Sequence, residues 1–195
     1  MVRHAAWAAF AVLLVACSDD RPGPSEPLEI TAPVYSFGAA AEHLHGTDLS
    51  GSEEVPPRDT PAHGLATFRV SSDGGSVDFV LTTSRIENVN QAHIHCGRFG
   101  ANGPVRMWLF PVIGPTGAAG PSGSGPRAGL LASGTFSPTG VVCPASAVGQ
   151  DMPLLDAIRA GLTYVNVHTN DGVDPANTGP GDFPGGEIRG QLDNH

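Results

Sequence analysis

The chain has 195 residues, of which 10 are basic and 19 are acidic, and its net charge at pH 7 is −9. Every basic residue is an arginine. An acidic composition of this kind excludes a nucleic-acid partner, and it also excludes binding through the attraction of anionic lipid headgroups.

The amino terminus has the pattern of a secretory signal. Arg3 supplies a short positive region, residues 5–15 are an apolar run too short to span a bilayer, and residues 14–17 read Leu-Val-Ala-Cys. This resembles a bacterial lipoprotein signal, so we predict that residues 1–16 are a signal peptide and that Cys17 is acylated. A secretory signal cut elsewhere and a weak membrane anchor are the alternatives.

The predicted anchor implies a location. Lipid on Cys17 would tether the protein to a membrane that the chain does not span. Ser18 follows the cysteine, which among lipoproteins favours the outer membrane or the cell surface. We therefore expect an extracytoplasmic protein of the bacterial cell envelope whose membrane contact is the N-terminal lipid alone.

A tether is predicted to follow the anchor. In residues 17–41, four prolines interrupt small and acidic residues. Such a segment cannot bury enough apolar surface to order itself. The composition changes near residue 42, so we predict one folded domain over residues 42–195.

Short runs of strand-forming residues, separated by Gly, Pro, Asn and Asp, make up most of this domain. The runs are residues 43–49, 65–70, 77–83, 92–95, 105–110, 129–136, 164–169 and 187–192. They predict an all-β fold, an antiparallel, Greek-key-like β-sandwich or barrel of about eight strands. Residues 152–160 are the exception, because their apolar side chains recur at helical spacing; this predicts one short helix that begins after Asp151 and ends at Gly161.

The cysteines favour a disulfide. If Cys17 carries lipid, Cys96 and Cys143 are left, an even number in a compartment where disulfides persist. We predict that these two are bonded. The alternatives are two buried free thiols, or Cys96 acting as a metal ligand beside His95.

Histidines from two predicted strands are expected to share one surface. His93 and His95 are two residues apart in one strand, so both point to the same face, about 6.6 Å apart along it. His168 would supply a third nitrogen from a neighbouring strand, and copper or zinc suits such ligation. The residues predicted to surround and orient this site are Asn166, Glu187 and Arg189, of which Glu187 is also a candidate fourth ligand.

A structural cluster is the alternative to a metal site. In it the histidines hydrogen-bond turn carbonyls and Asn166, while Glu187 and Arg189 form an ion pair. A His-x-His pattern is common by chance, and strand pairing cannot be read from one sequence. From the sequence alone we favour this structural interpretation.

Catalytic signals are weaker. A Gly-x-Ser-x-Gly elbow is missing from the sequence, and Cys96 is predicted to be oxidised. Glu53 and Glu54 are adjacent and would face opposite ways on a strand, so we interpret them as solvating the turn before Pro56. A dismutase-like copper or zinc protein is the best enzymatic alternative.

Several motifs, in order along the chain, resemble the CHRD domain, first described in chordin and common in secreted bacterial proteins. They are residues 49–57 (Leu-Ser-Gly-Ser-Glu-Glu-Val-Pro-Pro), 92–97 (Ala-His-Ile-His-Cys-Gly), 164–169 (Tyr-Val-Asn-Val-His-Thr) and 185–192 (Gly-Gly-Glu-Ile-Arg-Gly-Gln-Leu). The resemblance runs from about residue 42 to 193 and implies an extracellular, all-β domain. In chordin this domain sits in an antagonist that binds growth factors, and bacterial members generally lack an assigned activity.

The chain departs from the family pattern at His43 and His45, and in the loops at residues 114–129 and 171–184, which are longer than expected. We interpret the long loops as surface variation, and the alternative is that they carry a binding specificity of their own.

Together these features predict a lipid-anchored, non-enzymatic binding or structural module that acts on an extracytoplasmic protein or ligand. The alternative is an envelope protein that binds copper or zinc through His93, His95 and His168.

Overall fold

The structure of the protein is a computed structural model that describes residues 41–192. The predicted signal peptide, Cys17 and nearly all of the predicted tether lie outside the described residues. Within the described part of the chain, none of the helices is long and apolar enough to cross a membrane.

Ten strands account for most of the described chain. In chain order they are β1 (Ala41–Ser50), β2 (His63–Ser71), β3 (Val77–Glu87), β4 (Val89–Cys96), β5 (Val105–Phe110), β6 (Pro126–Phe136), β7 (Val142–Cys143), β8 (Met152–Pro153), β9 (Thr163–Thr169) and β10 (Ile188–Leu192). β7 and β8 pair with each other, and the other eight form one sheet in the order β5-β4-β9-β10-β1-β2-β3-β6.

Every pairing in the large sheet is antiparallel, and the sheet curls into a nearly closed barrel. The predicted all-β, antiparallel fold is thus confirmed, in its barrel form. Each of the eight predicted strands is present. β3 extends four residues beyond its prediction, to Glu87, because a register shift between Thr83 and Ile86, with Arg85 at φ 52°, interrupts the alternating pattern without ending the strand.

The core follows from alternation along the strands. Residues on one face of each strand point into the barrel and are buried, while the other face of most strands is partly exposed. The core side chains of the neighbouring strands β4, β9 and β10 include Ala92, Ile94, Val165, Val167, Ile188 and Leu192.

The predicted helix over residues 152–160 is wrong in its first turn. Met152 and Pro153 form β8, which pairs with β7, and the helix α2 occupies Leu154–Arg159. Asp151 does not cap it, because its carboxylate accepts a hydrogen bond from the backbone N–H of Ala145 at 2.7 Å. Ala145 is the first residue of a second short helix, α1 (Ala145–Val148). Elsewhere in the chain, a 3-10 turn at Gly51–Glu53 follows β1. Non-local pairing of β7 with β8 overrides the helical pattern at this point.

The disulfide is confirmed. Cys96, the last residue of β4, is bonded to Cys143 of β7 with a Cα–Cα separation of 5.5 Å. The bond attaches the segment that contains β7, α1, β8 and α2 to the end of a central barrel strand. Cys96 directly follows His95, so the disulfide also fixes the end of the strand that carries two of the candidate ligands.

Candidate metal centre

The outer face of β4, β9 and β10 carries the candidate site. Strand register places His93 opposite Asn166, and Asn166 opposite Arg189 on the far side. One step along, His95 lies opposite Tyr164. His168 lies opposite Gln91 in the row on the other side of His93, so the predicted ligands occupy three successive cross-strand rows on one face, as the alternating pattern implies.

This outer face is buried rather than exposed. His93, His95 and His168 have exposed fractions of 2%, 8% and 7%, and every residue of β9 is buried on both faces of the sheet. The face is covered by chain segments that connect the strands, among them the loop after β4 and the loop before β10. The site is consequently enclosed by loops that the strand pattern does not reveal.

The three imidazoles converge. The Nδ1 atom of His93 lies 3.2 Å from the Nε2 atom of His168. One ring nitrogen from each of His93, His95 and His168 can be chosen so that all three atoms lie within 4.8 Å of one another. The structure thus brings together the three residues that the sequence proposed as metal ligands.

Backbone carbonyls orient two of the rings. The Nδ1 atoms of His95 and His168 lie 2.8 Å from the carbonyl oxygens of Gly103 and Pro184. A carbonyl only accepts, so each Nδ1 carries the proton and each Nε2 presents its lone pair. This is the outer-shell arrangement that fixes the tautomer of metal-binding histidines.

Two glycine-rich connections make those contacts. Gly103 lies where a Cβ atom would overlap the carbonyl oxygen of Cys96, so only glycine lets the loop after β4 approach so closely. Pro184 belongs to the long loop at residues 171–184, before β10. From the sequence we interpreted this loop as surface variation. That interpretation is wrong for Pro184, because its carbonyl oxygen is the hydrogen-bond partner of His168.

Unpartnered nitrogens remain inside the cluster. The Nε2 atoms of His93 and His95 are buried without a hydrogen-bond partner, and so is the Oδ1 atom of Asn166. Buried polar atoms in folded proteins nearly always have a partner. The unpartnered Nε2 atoms therefore call for an explanation.

Burial keeps the rings uncharged. Desolvation lowers the pKa of His93 to about 2, with further lowering from His168 and His95. Desolvation likewise lowers the pKa values of His95 and His168 to about 4. All three imidazoles are therefore neutral at physiological pH, which is the form that binds a metal ion.

A stack of side chains supports His95. The ring of Tyr164 stacks on the His95 ring with 4.8 Å between centroids, and the Arg189 guanidinium lies 3.5 Å from the centroid of the Tyr164 ring on β9. Arg189 also donates hydrogen bonds to the carbonyl oxygens of Ala101 at 3.0 Å and Arg98 at 3.3 Å. The guanidinium thus holds the same loop that presents the Gly103 carbonyl to His95.

Glu187 is neither a ligand nor the partner of Arg189. Its carboxylate accepts hydrogen bonds from the hydroxyls of Thr60 at 2.5 Å and Thr169 at 2.6 Å, and from the backbone N–H of Gly181 at 2.9 Å. The predicted ion pair is wrong because three donors from connecting segments already saturate this carboxylate.

Sequence reasoning missed two neighbours of the site. Glu54, interpreted as solvating a turn, is buried; it accepts a hydrogen bond from Asn166 Nδ2 at 2.7 Å, and desolvation raises its pKa to about 7. Trp108 of β5 pairs with His93 and packs edge-on against its ring at 4.1 Å between centroids. Alternation along β5, with Met107 buried in the core, could have placed Trp108 on the outer face. No local sequence pattern predicts the burial of Glu54 or its contact with Asn166.

The buried histidines should make the metal-free protein sensitive to acid. The pKa values of these histidines are about 4 or lower in the folded protein, against 6.5 for an ordinary histidine. Below about pH 6.5 the unfolded chain therefore binds more protons than the folded protein, and the free energy of unfolding decreases as the pH is lowered. Glu54 acts in the opposite direction, because its pKa of about 7 exceeds the ordinary 4.5, but it is one group against three. We expect a lower thermal unfolding midpoint at about pH 5 than at about pH 7. An equal or higher midpoint at the lower pH would contradict this.

Comparison with known proteins gives one match. The family described as CHRD domain matches residues 45–192. Neither the curated proteins nor the solved structures contain a match to the chain.

Proposed function

The chain belongs to the CHRD domain family, and from this premise we propose that it is a non-enzymatic binding protein of the bacterial cell envelope whose histidine cluster holds one copper or zinc ion. The observation that carries the proposal is the convergence of three neutral imidazoles, two of them already oriented through Nδ1 by backbone carbonyls. Imidazole nitrogen suits both metals.

The spacing of the nitrogens fits a metal centre. Ligands about 2.0 to 2.1 Å from a tetrahedral ion are about 3.3 Å from one another. The 3.2 Å between His93 Nδ1 and His168 Nε2, a hydrogen bond in the metal-free protein, is close to that value, and all three candidate ligand nitrogens lie within 4.8 Å of one another. His93 is an uncharged ring whose proton can sit on either nitrogen, so a lone pair is available to the ion.

The unpartnered nitrogens favour metal binding over a purely structural cluster. A cluster built for hydrogen bonding would satisfy its buried atoms, since each unsatisfied group costs about 1 to 3 kcal/mol. Here the Nε2 atoms of His93 and His95 have no partner. An ion bound by Nδ1 of His93 and by Nε2 of His95 and His168 would give the His95 Nε2 atom the partner that it lacks, and for that reason we prefer the metal interpretation to the structural one favoured from the sequence.

The burial of the three histidines favours a site that holds an ion over a site that catalyses a reaction. Catalytic metal sites keep an open position for water or substrate, whereas structural sites are closed. All three candidate ligands are buried, and the stack of Tyr164 and Arg189 closes the side of His95. A dismutase-like activity, which needs substrate to reach the metal, fits this enclosure poorly.

The envelope location is part of the proposal. A disulfide is expected in oxidising compartments outside the cytoplasm, so the Cys96–Cys143 bond supports export. The signal-like pattern of residues 1–16 and the cysteine that follows it support a lipid anchor at Cys17.

Cys17→Ser is expected to move the protein from the detergent phase to the aqueous phase in a detergent partitioning experiment. Each buried CH₂ of an acyl chain contributes about 0.8 kcal/mol to membrane binding, and removal of the thiol removes the attachment point. Ser25→Ala, a substitution in the predicted tether that leaves the predicted anchor intact, is the matched control and should stay in the detergent phase. Unchanged partitioning of the Cys17 variant would refute the anchor.

Titration of the metal-stripped protein with Zn²⁺ and with copper tests the proposed function. We expect one equivalent of metal per chain, bound with micromolar or tighter affinity at about pH 7.5, where all three imidazoles are neutral. Metal-stripped protein that stays folded and binds neither metal would overturn the proposal.

A further inference from the structure

We infer that the ion held by His93, His95 and His168 is cuprous copper, Cu(I), and that the domain carries copper in its reduced state. This inference rests on the proposed metal site and specifies which ion the site holds. Three independent features of the cluster support it: the charge of the ligand set, the number of ligands, and the aromatic wall beside His93.

The ligand set carries no negative charge. The group of potential metal ligands in the described chain consists of three imidazoles and includes no carboxylate or thiolate. The nearby Glu187 carboxylate is saturated by three donors and turned to the connecting segments. The other carboxyl group, Glu54, reaches the cluster only as the hydrogen-bond partner of Asn166.

A cation lies behind the ligands on the side of His95. The guanidinium of Arg189 lies over Tyr164, whose ring stacks on His95, so the fixed charge on that side is positive. The cost of bringing an ion into a poorly solvated space rises with the square of its charge, so Cu(I) costs about a quarter of what a divalent ion costs. Neutral ligands and a neighbouring cation thus disfavour Zn²⁺ and Cu²⁺ relative to Cu(I).

The number of ligands points the same way. Zinc sites are almost always four-coordinate, and Cu²⁺ prefers a tetragonal arrangement. The described chain offers three side-chain nitrogens in an enclosed space, and Cu(I) is stable with three neutral ligands. A fourth ligand would have to be water, which the buried position of His93 and His95 disfavours.

Trp108 closes the remaining side of His93. Its indole ring packs at 81° to the His93 ring with 4.1 Å between centroids. The Gly/Pro-rich loop after β5 folds back over it: the backbone N–H of Trp108 donates to the Gly114 carbonyl at 2.7 Å, and a Cβ at Gly117 would lie 2.6 Å from the indole. An aromatic wall beside His93 excludes water from this side of the cluster, and a site without a water ligand favours Cu(I) over Zn²⁺ and Cu²⁺.

Competition titrations test the inference directly. Metal-stripped mature protein is titrated without oxygen with Cu(I) against a cuprous chelator, and separately with Zn²⁺ and Cu²⁺ against chelators for those ions. We expect Cu(I) to bind at least about a hundredfold more tightly than either divalent ion. Trp108 fluorescence should fall as the site fills, and Trp108 is the single tryptophan of the chain beyond the predicted signal peptide.

Variants separate this inference from the proposed function. Trp108→Leu should weaken Cu(I) binding by roughly tenfold and leave Zn²⁺ binding nearly unchanged, while Trp108→Phe, which keeps an aromatic wall, should retain most of the affinity for Cu(I). Zn²⁺ or Cu²⁺ binding as tight as Cu(I) would overturn the inference and leave the proposed metal site standing. Folded protein that binds none of the three ions would overturn both.

Discussion

His168→Ala is expected to lower the affinity of the protein for Cu(I) by at least about a hundredfold, because the substitution removes one of the three proposed ligands. The ring of His168 is also the one that links the cluster to the segment before β10, through Pro184. His95→Ala should have a similar effect, since it removes the ring held by Gly103. Affinity is measured by chelator competition on metal-stripped protein.

The matched control is His63→Ala. His63 is an exposed residue at the start of β2, and it lies outside the group of three converging imidazoles. Its removal should leave affinity and stoichiometry unchanged. If the cluster is structural, His168→Ala would instead lower the free energy of unfolding by about 1 to 3 kcal/mol whether or not metal is present, and metal would not protect the wild type from unfolding.

Loss of the Cys96–Cys143 bond is expected to reduce the free energy of unfolding by roughly 4 kcal/mol, because the bond closes a loop between residues 47 apart in sequence. The measurement is urea unfolding of the metal-free protein with and without reductant. The double variant Cys96→Ala/Cys143→Ala should match the reduced wild type and should not respond to reductant. Complete alkylation of both thiols in native, unreduced protein would contradict the bond, and equal stability of the double variant would contradict its contribution.

The sequence predicts the barrel strands and the ligand set for one physical reason. Alternation along a strand fixes which side chains share a face, so His93 and His95 had to lie together, with Ile94 on the core side. Alternation does not give register, and it was the pairing of β4 with β9 that brought His168 to them. The prediction needed only that these two strands be neighbours.

What the sequence could not predict lies in the connections. The carbonyl groups of Gly103 and Pro184 orient the rings, and a backbone group has no residue-type signal. Glu54 follows the 3-10 turn and folds back to Asn166 across 112 residues, so no local pattern marks it. These contacts come from loop closure onto the outer face of the sheet, which depends on the complete fold.

The same reason explains two further errors, the ion pair and the first turn of the helix. An alternating strand suggested that Glu187 and Arg189, two residues apart, would pair, but Glu187 precedes β10 and bonds to connecting segments instead. The helical spacing over residues 152–160 correctly predicts a helix from Leu154 onward, whereas Met152 and Pro153 form β8 and pair with β7. In both cases a non-local hydrogen bond outweighed a local pattern.

Anomalous diffraction from a crystal of the copper-loaded protein tests the central claim most directly. The account predicts one strong copper peak, about 2.0 to 2.2 Å from one ring nitrogen of each of His93, His95 and His168, with the Nδ1 atoms of His95 and His168 still hydrogen-bonded to their carbonyls. A loaded crystal with copper bound elsewhere, or with no peak between these three rings, would contradict it.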